Sequence, residues 1–578
     1  MVKNKSNMPT AGKFVYFIFN HKITANRKKE KFMIKVLLNN KEYEFENRLR
    51  VLDLIEAKDY SIIACKVNNR IRELSFELHH DSEVEFLHLD EYEAVKIYEA
   101  SLRYVFAMAC SRLYPEIDIK FNYHISRSIY CQIVSPEKTF TLQMVKAIDE
   151  EMNKIISEDI PLERTVVPNE EAGKVYEQYH LDDKIKILKY RPEKTVHLYR
   201  CAEYLNYMYS YMVPSTGYLT KFKLRLYGSG VIIQYPRAEF GGSIPPFENE
   251  NTYGQTLKRA SNWAKTCKFE TIADINEYVE SNKTVDFINM CEARHYRDLA
   301  TLGEKIQSNI DSIRLIAIAG PSSSGKTTFS NRLRIELLSR GITPVKISID
   351  DYYIDRDKMV PDKNGKYDLE HINAIDYELF NEHLAALING EEIDMPVFDF
   401  TIGKRVPGRK MKVDPKSPII IEGIHALNDA LTSLIPRDQK FKIYIAPHTQ
   451  VNLDNHNPMS MTQFRLLRRL VRDYQFRSSK AERTLSMWES VRQGEFRWIY
   501  DNQEGVDFVF NSELSYELCV LKKHALPLLL EIDKDNPFFV EANNLVKFLK
   551  YYKDIDDELV PCNSLLREFI GGSCFKDV

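Results

Sequence analysis

The residues Gly320–Thr328 fit the pattern G-x-x-x-x-G-K-[ST]. The apolar run Leu315–Ala319 before them predicts a buried strand, and Phe329–Leu338 after them has the apolar spacing of a helix. Two glycines let the backbone curl so that successive N–H groups point inward, and a helix N-terminus adds partial positive charge. The side chains expected at this loop are those of Gly320, Pro321, Ser322, Ser323, Ser324, Gly325, Lys326, Thr327 and Thr328.

Within this loop, Lys326 is expected to reach the β- and γ-phosphates, and the hydroxyl of Thr327 is expected to ligate Mg²⁺. The alternative is a turn rich in Gly and Ser that binds nothing. Because both flanking segments fit, the sequence favours a site for a nucleoside triphosphate, with ATP and Mg²⁺ as the ligands.

Acidic side chains follow two further strand candidates. Asp350 ends the run that begins at Val345, and Glu422 follows Ile419–Ile421. In open α/β sheets, ligands bind beyond the carboxyl ends of the strands. We therefore expect Asp350 and Glu422 to converge on the Mg-nucleotide, while Asp351 is interpreted as a helix N-cap or turn residue.

The same half of the chain alternates strand and helix patterns. A nearly continuous apolar run such as Ile419–Ile421 is typical of a strand covered on both faces, as in a parallel sheet. The predicted fold class is therefore α/β with a doubly wound parallel sheet. Its strand candidates are Arg314–Ala319, Val345–Ile349, Ile419–Ile421, Phe441–Ile445 and Val506–Phe510.

An arginine-rich helix follows. Arg465, Arg469 and Arg472 share one helical face, with Arg468 beside them. An isolated cationic face is usually just solvated. Beside a phosphate site, arginines can neutralise the charge of a transferring phosphoryl group, so we assign this helix to a lid.

Several motifs together resemble the uridine kinases, within the uridine kinase and phosphoribulokinase group. They are the loop Gly320–Thr328, Ser348–Asp350, Met395–Phe400, Glu422-Gly423, and Arg469, Arg472 and Arg477. The resemblance covers residues 311–515 and implies a P-loop kinase that transfers the γ-phosphate of ATP to the 5′-hydroxyl of a nucleoside.

The resemblance also implies residue roles. Asp350 matches the general base, Lys326 the catalytic lysine, and Thr327 and Glu422 the magnesium positions. Arg469, Arg472 and Arg477 match the catalytic lid arginines. The substrate positions are Tyr353, Asp368, Glu370 and Phe398. Either Asp368 or Glu370 would hold the ribose hydroxyls, and the local alignment favours Glu370.

This chain departs from the family where the base is recognised. The family's Tyr and His in Y-D-F-x-x-H are replaced by Phe398 and Gly403. Phe398 can stack on a base but has no hydroxyl, and Gly403 has no side-chain donor. An apolar site rejects analogues weakly, so we expect a broadened or altered base preference.

The N-terminal part resembles a different family. Met33–Phe45 has the pattern of a hairpin, and residues 33–92 resemble the β-grasp TGS domain of threonyl-tRNA synthetases. The anchors Arg112–Pro115 and Val213–Gly217 then resemble the synthetase domain that follows TGS. Its metal-type motifs fall on Ala100, Tyr104, Met208 and Met212, which are not zinc ligands.

We therefore expect an α+β module that has lost its metal chemistry and binds RNA or a regulatory ligand. The aromatic cluster Tyr204, Tyr207, Tyr209 and Tyr211 could stack on single-stranded RNA, although core packing is the commoner role. The predicted segments are a basic extension (1–32), the TGS-like domain (33–92), the synthetase-like domain (93–235), a helical linker (236–310), the kinase domain (311–515) and a C-terminal helical segment (516–578).

Composition is that of a globular protein: 578 residues, 44% hydrophobic, with a formal net charge of -3. Nine cysteines without a C-x-x-C pair indicate reduced usage, and no apolar run reaches the roughly 20 residues of a membrane helix. We expect a cytoplasmic protein without membrane contact, and a homo-oligomer is open. Residues 1–32 carry eight Lys/Arg against one acid; an extension, a transit peptide or an upstream start before Met33 would each fit.

Two competing functions stay open. One is a kinase of the same superfamily that acts on another small alcohol. The other is an RNA-linked regulatory NTPase in which turnover only switches conformation.

Overall fold

The structure is a computed structural model that describes residues 33–46, 48–55, 59–135, 137–359, 370–399 and 402–576. The predictions for residues 1–32 and for Asp368 lie outside these ranges. Within them, none of the helices is both long and apolar enough to span a bilayer.

The chain opens with a twisted hairpin. Strands β1 (Met33–Leu38) and β2 (Lys41–Glu46) pair antiparallel, as predicted. The turn residues Asn39 and Asn40 have φ angles of 51° and 61°, the left-handed conformation that asparagine tolerates and that tight hairpins need. Along β1 the side chains alternate between exposed and buried, so one face of the sheet is covered.

A five-stranded sheet with the order β2-β1-β7-β4-β5 completes this first unit, and β1 and β7 are its parallel pair. A short 3₁₀ helix spans Val51–Leu54. The remaining strands are β3 (Leu49–Arg50), β4 (Ile62–Val67), β5 (Ile71–Arg72), β6 (Glu77–Leu78) and β7 (Ser82–His88).

The next region mixes helices with two antiparallel sheets, of order β10-β11-β12 and β13-β14-β9-β8. Its helices are α1 (Tyr92–Leu113), α2 (Leu142–Ser157), α3 (Asn169–Gln178) and α4 (Asp182–Leu188). Its strands are β8 (Ile119–Ile125), β9 (Ser128–Ile133), β10 (Glu163–Pro168), β11 (Thr195–Cys201), β12 (Tyr204–Tyr207), β13 (Lys223–Tyr227) and β14 (Gly230–Gln234). This is the predicted α+β arrangement.

Three helices lead to the second half: α5 (Asn251–Thr266), α6 (Ile272–Glu280) and α7 (Thr284–Gln307). All three lie within residues 236–310. Thr271 caps α6 with its side chain, and Asp274 returns the bond, so this start is marked by local chemistry.

The second half is built on a parallel sheet of order β16-β19-β15-β20-β23. Its strands are β15 (Leu315–Ala319), β16 (Val345–Ser348), β19 (Ile419–Glu422), β20 (Lys440–Ala446) and β23 (Phe508–Asn511). Both faces of this sheet are buried, which explains the continuous apolar runs and confirms the α/β class.

Helices and two hairpins surround this sheet. The helices are α8 (Lys326–Ser339), α9 (Tyr377–Ile388), α10 (Met461–Arg477), α11 (Ala481–Trp498), α12 (Glu517–Leu530), α13 (Phe539–Leu549) and α14 (Arg567–Ile570). The hairpins are β17 (Glu392–Asp399) with β18 (Lys404–Lys412), and β21 (Asn452–Asp454) with β22 (Asn457–Pro458). Three of these helices, α12, α13 and α14, follow residue 516.

The hairpin β21–β22 joins the α+β region to the parallel-sheet region. Phe121 donates its backbone N–H to Asn455 O at 2.9 Å. Lys184 on α4 pairs with Asp454 at 2.9 Å, and both side chains are almost fully buried. Burial alone would raise the pKa of Asp454, but Lys184 and further donors hold it below its ordinary value. The two regions are therefore packed together by charges that water does not screen.

Replacing Lys184 by Met is expected to leave Asp454 buried without its cation. Removing one partner of a buried pair costs about 3–5 kcal/mol of unfolding free energy. The urea midpoint of the full chain should fall accordingly. Lys174→Met, on the exposed face of α3, is the matched control and should change the midpoint little. Equal midpoints for the two variants would contradict a structural role for the buried pair.

Candidate functional site

The loop Gly320–Gly325 connects β15 to α8 at the carboxyl edge of the parallel sheet. Gly325 caps α8 with a φ of 90°, a conformation that favours glycine. A Cβ atom at Gly320 would overlap the carbonyl oxygen of Ile445. Both pattern glycines are thus required by the backbone path that turns the loop amides inward.

Several hydroxyl groups in and beside the loop are buried without a hydrogen-bond partner among the described residues. They are Ser323 Oγ, Ser324 Oγ and Thr328 Oγ1. The ammonium group of Lys326 donates hydrogen bonds to the carbonyl oxygens of Gly320 and Pro321, at 3.0 and 3.3 Å. Buried hydroxyls without partners are costly, which indicates that this loop is shaped for a bound group.

The two predicted acids lie at the carboxyl ends of neighbouring strands: Asp350 follows β16 by two residues, and Glu422 is the last residue of β19. β19 lies between β16 and β15, so Glu422 stands between Asp350 and the loop. Thr327 Oγ1 donates to Glu422 Oε1 at 3.3 Å. Burial, reinforced by the charge of Asp350, raises the pKa of Glu422 to about 7, against the opposing charges of Lys326 and Lys346.

A hydroxyl and a carboxylate are oxygen ligands, which suit Mg²⁺. Mg²⁺ commonly uses one or two protein groups and completes its shell with phosphates and water. No group of three or more His, Cys, Asp or Glu residues able to hold a metal occurs in the described ranges. Thr327 and Glu422 therefore fit a magnesium ion that arrives with a nucleotide.

Asp350 is the second residue of the short 3₁₀ helix Ile349–Tyr352, and its backbone N–H donates to the side chain of Ser348, the N-cap. Its carboxyl is accessible from the cleft, yet the surrounding protein displaces water and raises its pKa, against the opposing charges of Lys326, Arg477 and Arg472. A carboxylate with weakened hydration is a better proton acceptor. Asp351, by contrast, accepts the backbone N–H of Phe398 at 3.4 Å. It lies within the 3₁₀ turn, whose N-cap is Ser348 and not Asp351.

The predicted lid arginines gather around one buried carboxylate. Arg469 donates to Ser322 Oγ at 2.7 Å, and Arg472 donates to Asp473 at 3.0 Å. Arg477 Nη1 lies 3.5 Å from Asp473 Oδ1. The charge of Arg472 lowers the pKa of Arg477 to about 10, so a strongly positive field faces Asp350 and Lys326. Negative groups are attracted to such a place.

Arg465 and Arg468 do not act as lid arginines, the role that the sequence predicts for this helix. Arg465 pairs with buried Glu495 and donates to Ser322 O at 3.1 Å. Arg468 is fully buried, pairs with Glu517 at 2.8 Å, and donates to Ser323 O at 3.3 Å. These two side chains hold the outer carbonyls of the loop, so they support it and do not close over a ligand.

The predicted substrate residues lie on the other side of Asp350. The rings of Tyr353 and Phe398 are 5.6 Å apart and tilted by 49°. Glu370 lies within electrostatic range of Arg469, Lys326 and Asp350, and burial raises its pKa to about 7. The structure thus brings together every described member of the predicted site; Asp368 lies outside the described residues.

Gly403 has a structural reason for lacking a side chain. Its φ is 67°, and a Cβ atom there would overlap the side chain of Arg356. Its carbonyl accepts the N–H of Arg356 at 3.0 Å. Phe398 is only 6% exposed. Neither position offers a hydrogen-bonding side chain to a base.

One residue at the loop was not foreseen. Glu568, on the C-terminal helix α14, accepts the backbone N–H of Thr328 at 2.9 Å. Leu565 packs against Gly325. The carboxylate therefore occupies the N-terminal end of α8, where a phosphate would be attracted. No sequence signal could have found this contact, since the two residues lie 240 positions apart.

The lost metal positions of the α+β region are filled by packing. Ala100, Tyr104, Met208 and Met212 are all buried. The hydroxyl of Tyr104 donates to the carbonyl of Tyr199 at 2.9 Å. This position is part of the core and offers no metal ligand.

Comparison with known proteins identifies both halves. Residues 315–513 match the Phosphoribulokinase / Uridine kinase family. The uridine kinase of Brevibacillus brevis is 30% identical over 177 residues, which cover 31% of this chain and 74% of that enzyme.

The N-terminal region is similar to threonine–tRNA ligases. The ligase of Clostridium kluyveri is 32% identical over 198 residues, which cover 33% of this chain and 31% of the ligase. The chain therefore spans about a third of the length of these relatives. A putative fructose transport system kinase from Silicibacter is 20% identical, covers 37% of this chain and 98% of its own, and has a TM-score of 0.28, too low to carry a conclusion.

Replacing Glu568 by Gln is expected to strengthen binding of inorganic triphosphate to the loop. The change removes a negative charge that competes for Thr328 N–H, an effect of about 1 kcal/mol or roughly fivefold in affinity. Isothermal titration of the full chain measures it. Glu558→Gln makes the same charge change at an exposed position of the same segment and should bind as the parent does. Weaker or unchanged binding by the Glu568 variant would contradict the competition.

Proposed function

Because the chain belongs to the phosphoribulokinase / uridine kinase family, we propose that it is an ATP- and Mg²⁺-dependent nucleoside 5′-kinase. The observation that supports this most is the geometry at the carboxyl edge of the parallel sheet. Asp350 follows β16 and Glu422 ends the neighbouring β19, both beside the phosphate loop, and the charges of Arg472 and Arg477 on α10 act on Asp350. A base, a metal position and charge-neutralising groups are therefore next to one another.

In the proposed reaction the γ-phosphate of ATP lies on the loop. The 5′-oxygen of the nucleoside attacks γ-phosphorus, the bond to the β,γ-bridging oxygen breaks, and ADP leaves. Asp350 takes the proton of the 5′-hydroxyl as the new bond forms. Proton transfer of this kind contributes about 10² to 10⁴ in rate.

The remaining groups stabilise charge. Lys326 and the arginines Arg469, Arg472 and Arg477 neutralise the oxygens of the transferring phosphoryl group. Mg²⁺, held by Thr327 and Glu422, would neutralise the β- and γ-phosphates when the nucleotide binds. Because Arg469 already contacts Ser322 of the loop, this helix is close enough to take part without a large closing motion.

The acceptor pocket lies beyond Asp350. Glu370 would accept the ribose hydroxyls, and the paired rings of Tyr353 and Phe398 would form an aromatic wall for the base. Because neither Phe398 nor Gly403 can read the polar edge of a base, we expect several nucleosides to be accepted. The discrimination should be closer to tenfold than to the roughly 10⁴-fold of a hydrogen-bonding site.

For the other half of the chain we propose a regulatory role. The segment boundaries predicted from the sequence, with a TGS-like unit followed by the synthetase-like region, an RNA or small regulatory ligand, homo-oligomer formation and a cytoplasmic location all stay proposals. The buried contacts of the hairpin β21–β22 support communication between this half and the kinase.

The deciding experiment incubates the full chain with ATP, Mg²⁺ and a mixed pool of nucleosides, and detects products by mass. Nucleoside monophosphates from several bases are expected. A phosphorylated small alcohol of another class would favour the kinase of a different acceptor. ATP hydrolysis that RNA stimulates, without any phosphorylated product, would favour a regulatory NTPase. A strict preference for uridine and cytidine would contradict the role given to Phe398 and Gly403.

Replacing Asp350 by Asn is expected to lower kcat by about 10² to 10⁴, since the proton acceptor is lost. ATP binding, which depends on the loop, should change little. Asp351→Asn changes the neighbouring carboxyl, whose contact is with the backbone of Phe398, and is expected to keep most of the activity. Near-normal turnover by the Asp350 variant would show that another group is the base.

The KM for the nucleoside is expected to fall as pH rises through about 7. Burial raises the pKa of Glu370 to about 7, so the carboxyl is neutral below this value and ionised above it. The ionised form accepts hydroxyl hydrogen bonds more strongly. Initial rates at saturating ATP and Mg²⁺ give this KM between pH 6 and 8. Glu370→Gln should raise KM and flatten its pH dependence; an unchanged profile would exclude Glu370 from the pocket.

A further inference from the structure

A cavity of about 480 Å³ lies between the two halves of the chain. One side is formed by residues of α1, β11 and the segment after β12. The other side is formed by Pro321 of the phosphate loop, by residues 453–463 around the start of α10, and by α13. Cavities of this size hold one small molecule. None of Lys326, Asp350 and Glu422 lines it, so it is separate from the proposed catalytic groups.

One end of this cavity carries positive charge that the described residues compensate poorly. The buried Nε atom of Arg164 has no hydrogen-bond partner among the described residues, and the carboxylate of Glu73 lies 4.0 Å from it. Glu73 itself is buried, and burial raises its pKa. Lys547 lies close by, and no described residue pairs with it. A half-buried guanidinium without acceptors is unusual, because Arg has five donors to satisfy.

The positive charge at this end of the cavity also acts on His197. Burial and the charges of Arg164, Arg191 and Lys547 lower its pKa to about 4. Its buried Nδ1 has no hydrogen-bond partner among the described residues. Glu193 is the acid on this wall, 4.0 Å from Arg191 Nε and 44% exposed. Three cations and an unpaired imidazole thus lie beside two acids, Glu73 and Glu193, and the excess of positive charge favours an anionic ligand.

The same end is lined by aromatic rings. Tyr209 is 39% exposed although it stands inside the cavity wall. Its ring meets that of Tyr551 edge to face at 6.4 Å. Arg164 lies 5.4 Å from the ring centre of Tyr211. Exposed rings beside guanidinium groups bind flat aromatic groups by stacking.

We propose that this cationic aromatic end of the cavity, formed by Arg164, Arg191, His197, Tyr209, Tyr211 and Lys547, binds a nucleoside phosphate and so regulates the phosphate loop. The base stacks on Tyr209, and the phosphate is held by Arg164 and Lys547. A free mononucleotide fits the cavity volume better than a strand of RNA.

Occupancy of this site is transmitted through the hairpin that precedes α10. The backbone N–H of Tyr209 donates to Asn457 Oδ1 at 2.8 Å. Asn457 belongs to β22, three residues before Ser460, which caps α10. Arg469 of this helix contacts Ser322 of the loop. A ligand that shifts Tyr209 therefore acts on the helix that touches the loop, and by linkage ATP in the loop alters the affinity of the cavity.

The test uses the full chain with its loop saturated by a non-hydrolysable ATP analogue and Mg²⁺. Equilibrium dialysis with labelled nucleoside mono-, di- and triphosphates then counts additional sites. One additional site per chain is expected, and the nucleoside without phosphate should bind at least tenfold more weakly. Binding of a short single-stranded RNA without binding of any mononucleotide would overturn the proposal.

Variants locate the site. Arg164→Gln and Tyr209→Ala are expected to weaken the additional binding at least tenfold while the loop still binds one ATP analogue. Arg225→Gln, an exposed arginine of β13 outside the cavity, is the matched control and should bind normally. Because Tyr209 is exposed, its removal tests the site even where the Arg164 variant is unstable. Binding that survives both changes but is lost in Glu370→Gln would place the ligand in the acceptor pocket and overturn the proposal.

Regulation is measured by the affinity for ATP itself, which does not require turnover, so failure of the proposed reaction would not obscure the result. Saturating the cavity with the identified nucleotide is expected to shift the Kd for ATP at least threefold in the parent and in Arg225→Gln. No shift is expected in Arg164→Gln. Binding without any shift in the parent would overturn the regulatory part.

Discussion

A phosphate loop can aim its amides inward only if its carbonyls, which then point outward, find donors elsewhere. Arg468 supplies this requirement: it is fully buried, donates to the carbonyls of Ser323 and Ser324, and pairs with Glu517 at the start of α12. Arg465 does the same for Ser322 and pairs with Glu495 on α11. Two buried guanidinium groups therefore connect the loop to α10, α11 and α12. A buried charge needs an ion-pair partner and further hydrogen bonds, and these elements supply them.

This requirement for donors at the loop carbonyls explains why the arginines of α10 have different roles. The first turns of α10 face the loop and carry Arg465 and Arg468, which glutamates on neighbouring helices neutralise. The last turns carry Arg472 and Arg477, which share Asp473. The three cations around Asp473 exceed its single charge, so the end of α10 stays positive toward the cleft. Support for the loop and attraction of phosphate thus come from successive turns of one helix.

Much of the parallel-sheet region could be predicted, because a strand buried on both faces must be apolar. Leu315–Ala319 is found with the predicted bounds. The helix after the loop begins at Lys326, three residues before Phe329, since Gly325 in the left-handed conformation starts it earlier than the apolar spacing shows. The roles of Arg465 and Arg468 could not be predicted, because helical spacing defines a face but does not say which glutamates stand opposite.

Contacts between segments that are distant in the sequence could not be predicted either. The bond from Thr328 to Glu568 and the pair of Lys184 with Asp454 join positions 240 and 270 residues apart, and no local pattern marks either. Gly403 is an intermediate case: its departure from the family pattern is visible in the sequence, while its left-handed backbone and the overlying Arg356 are visible only in the structure.

These long-range contacts share a direction. Glu568 reaches the loop from the C-terminal helix, and Lys184 of the N-terminal half reaches the hairpin that directly precedes α10. Both meet the phosphate loop or the helix that holds its carbonyls, and both rely on charge in places that water does not screen. A change in charge at Glu568 or at the Lys184–Asp454 pair therefore changes the electrostatic potential at the loop, because water does not screen these groups. Neither Glu568 nor Lys184 belongs to the proposed reacting groups, so both contacts act on the support of the loop and leave the proposed chemistry to Asp350, Glu422 and Lys326.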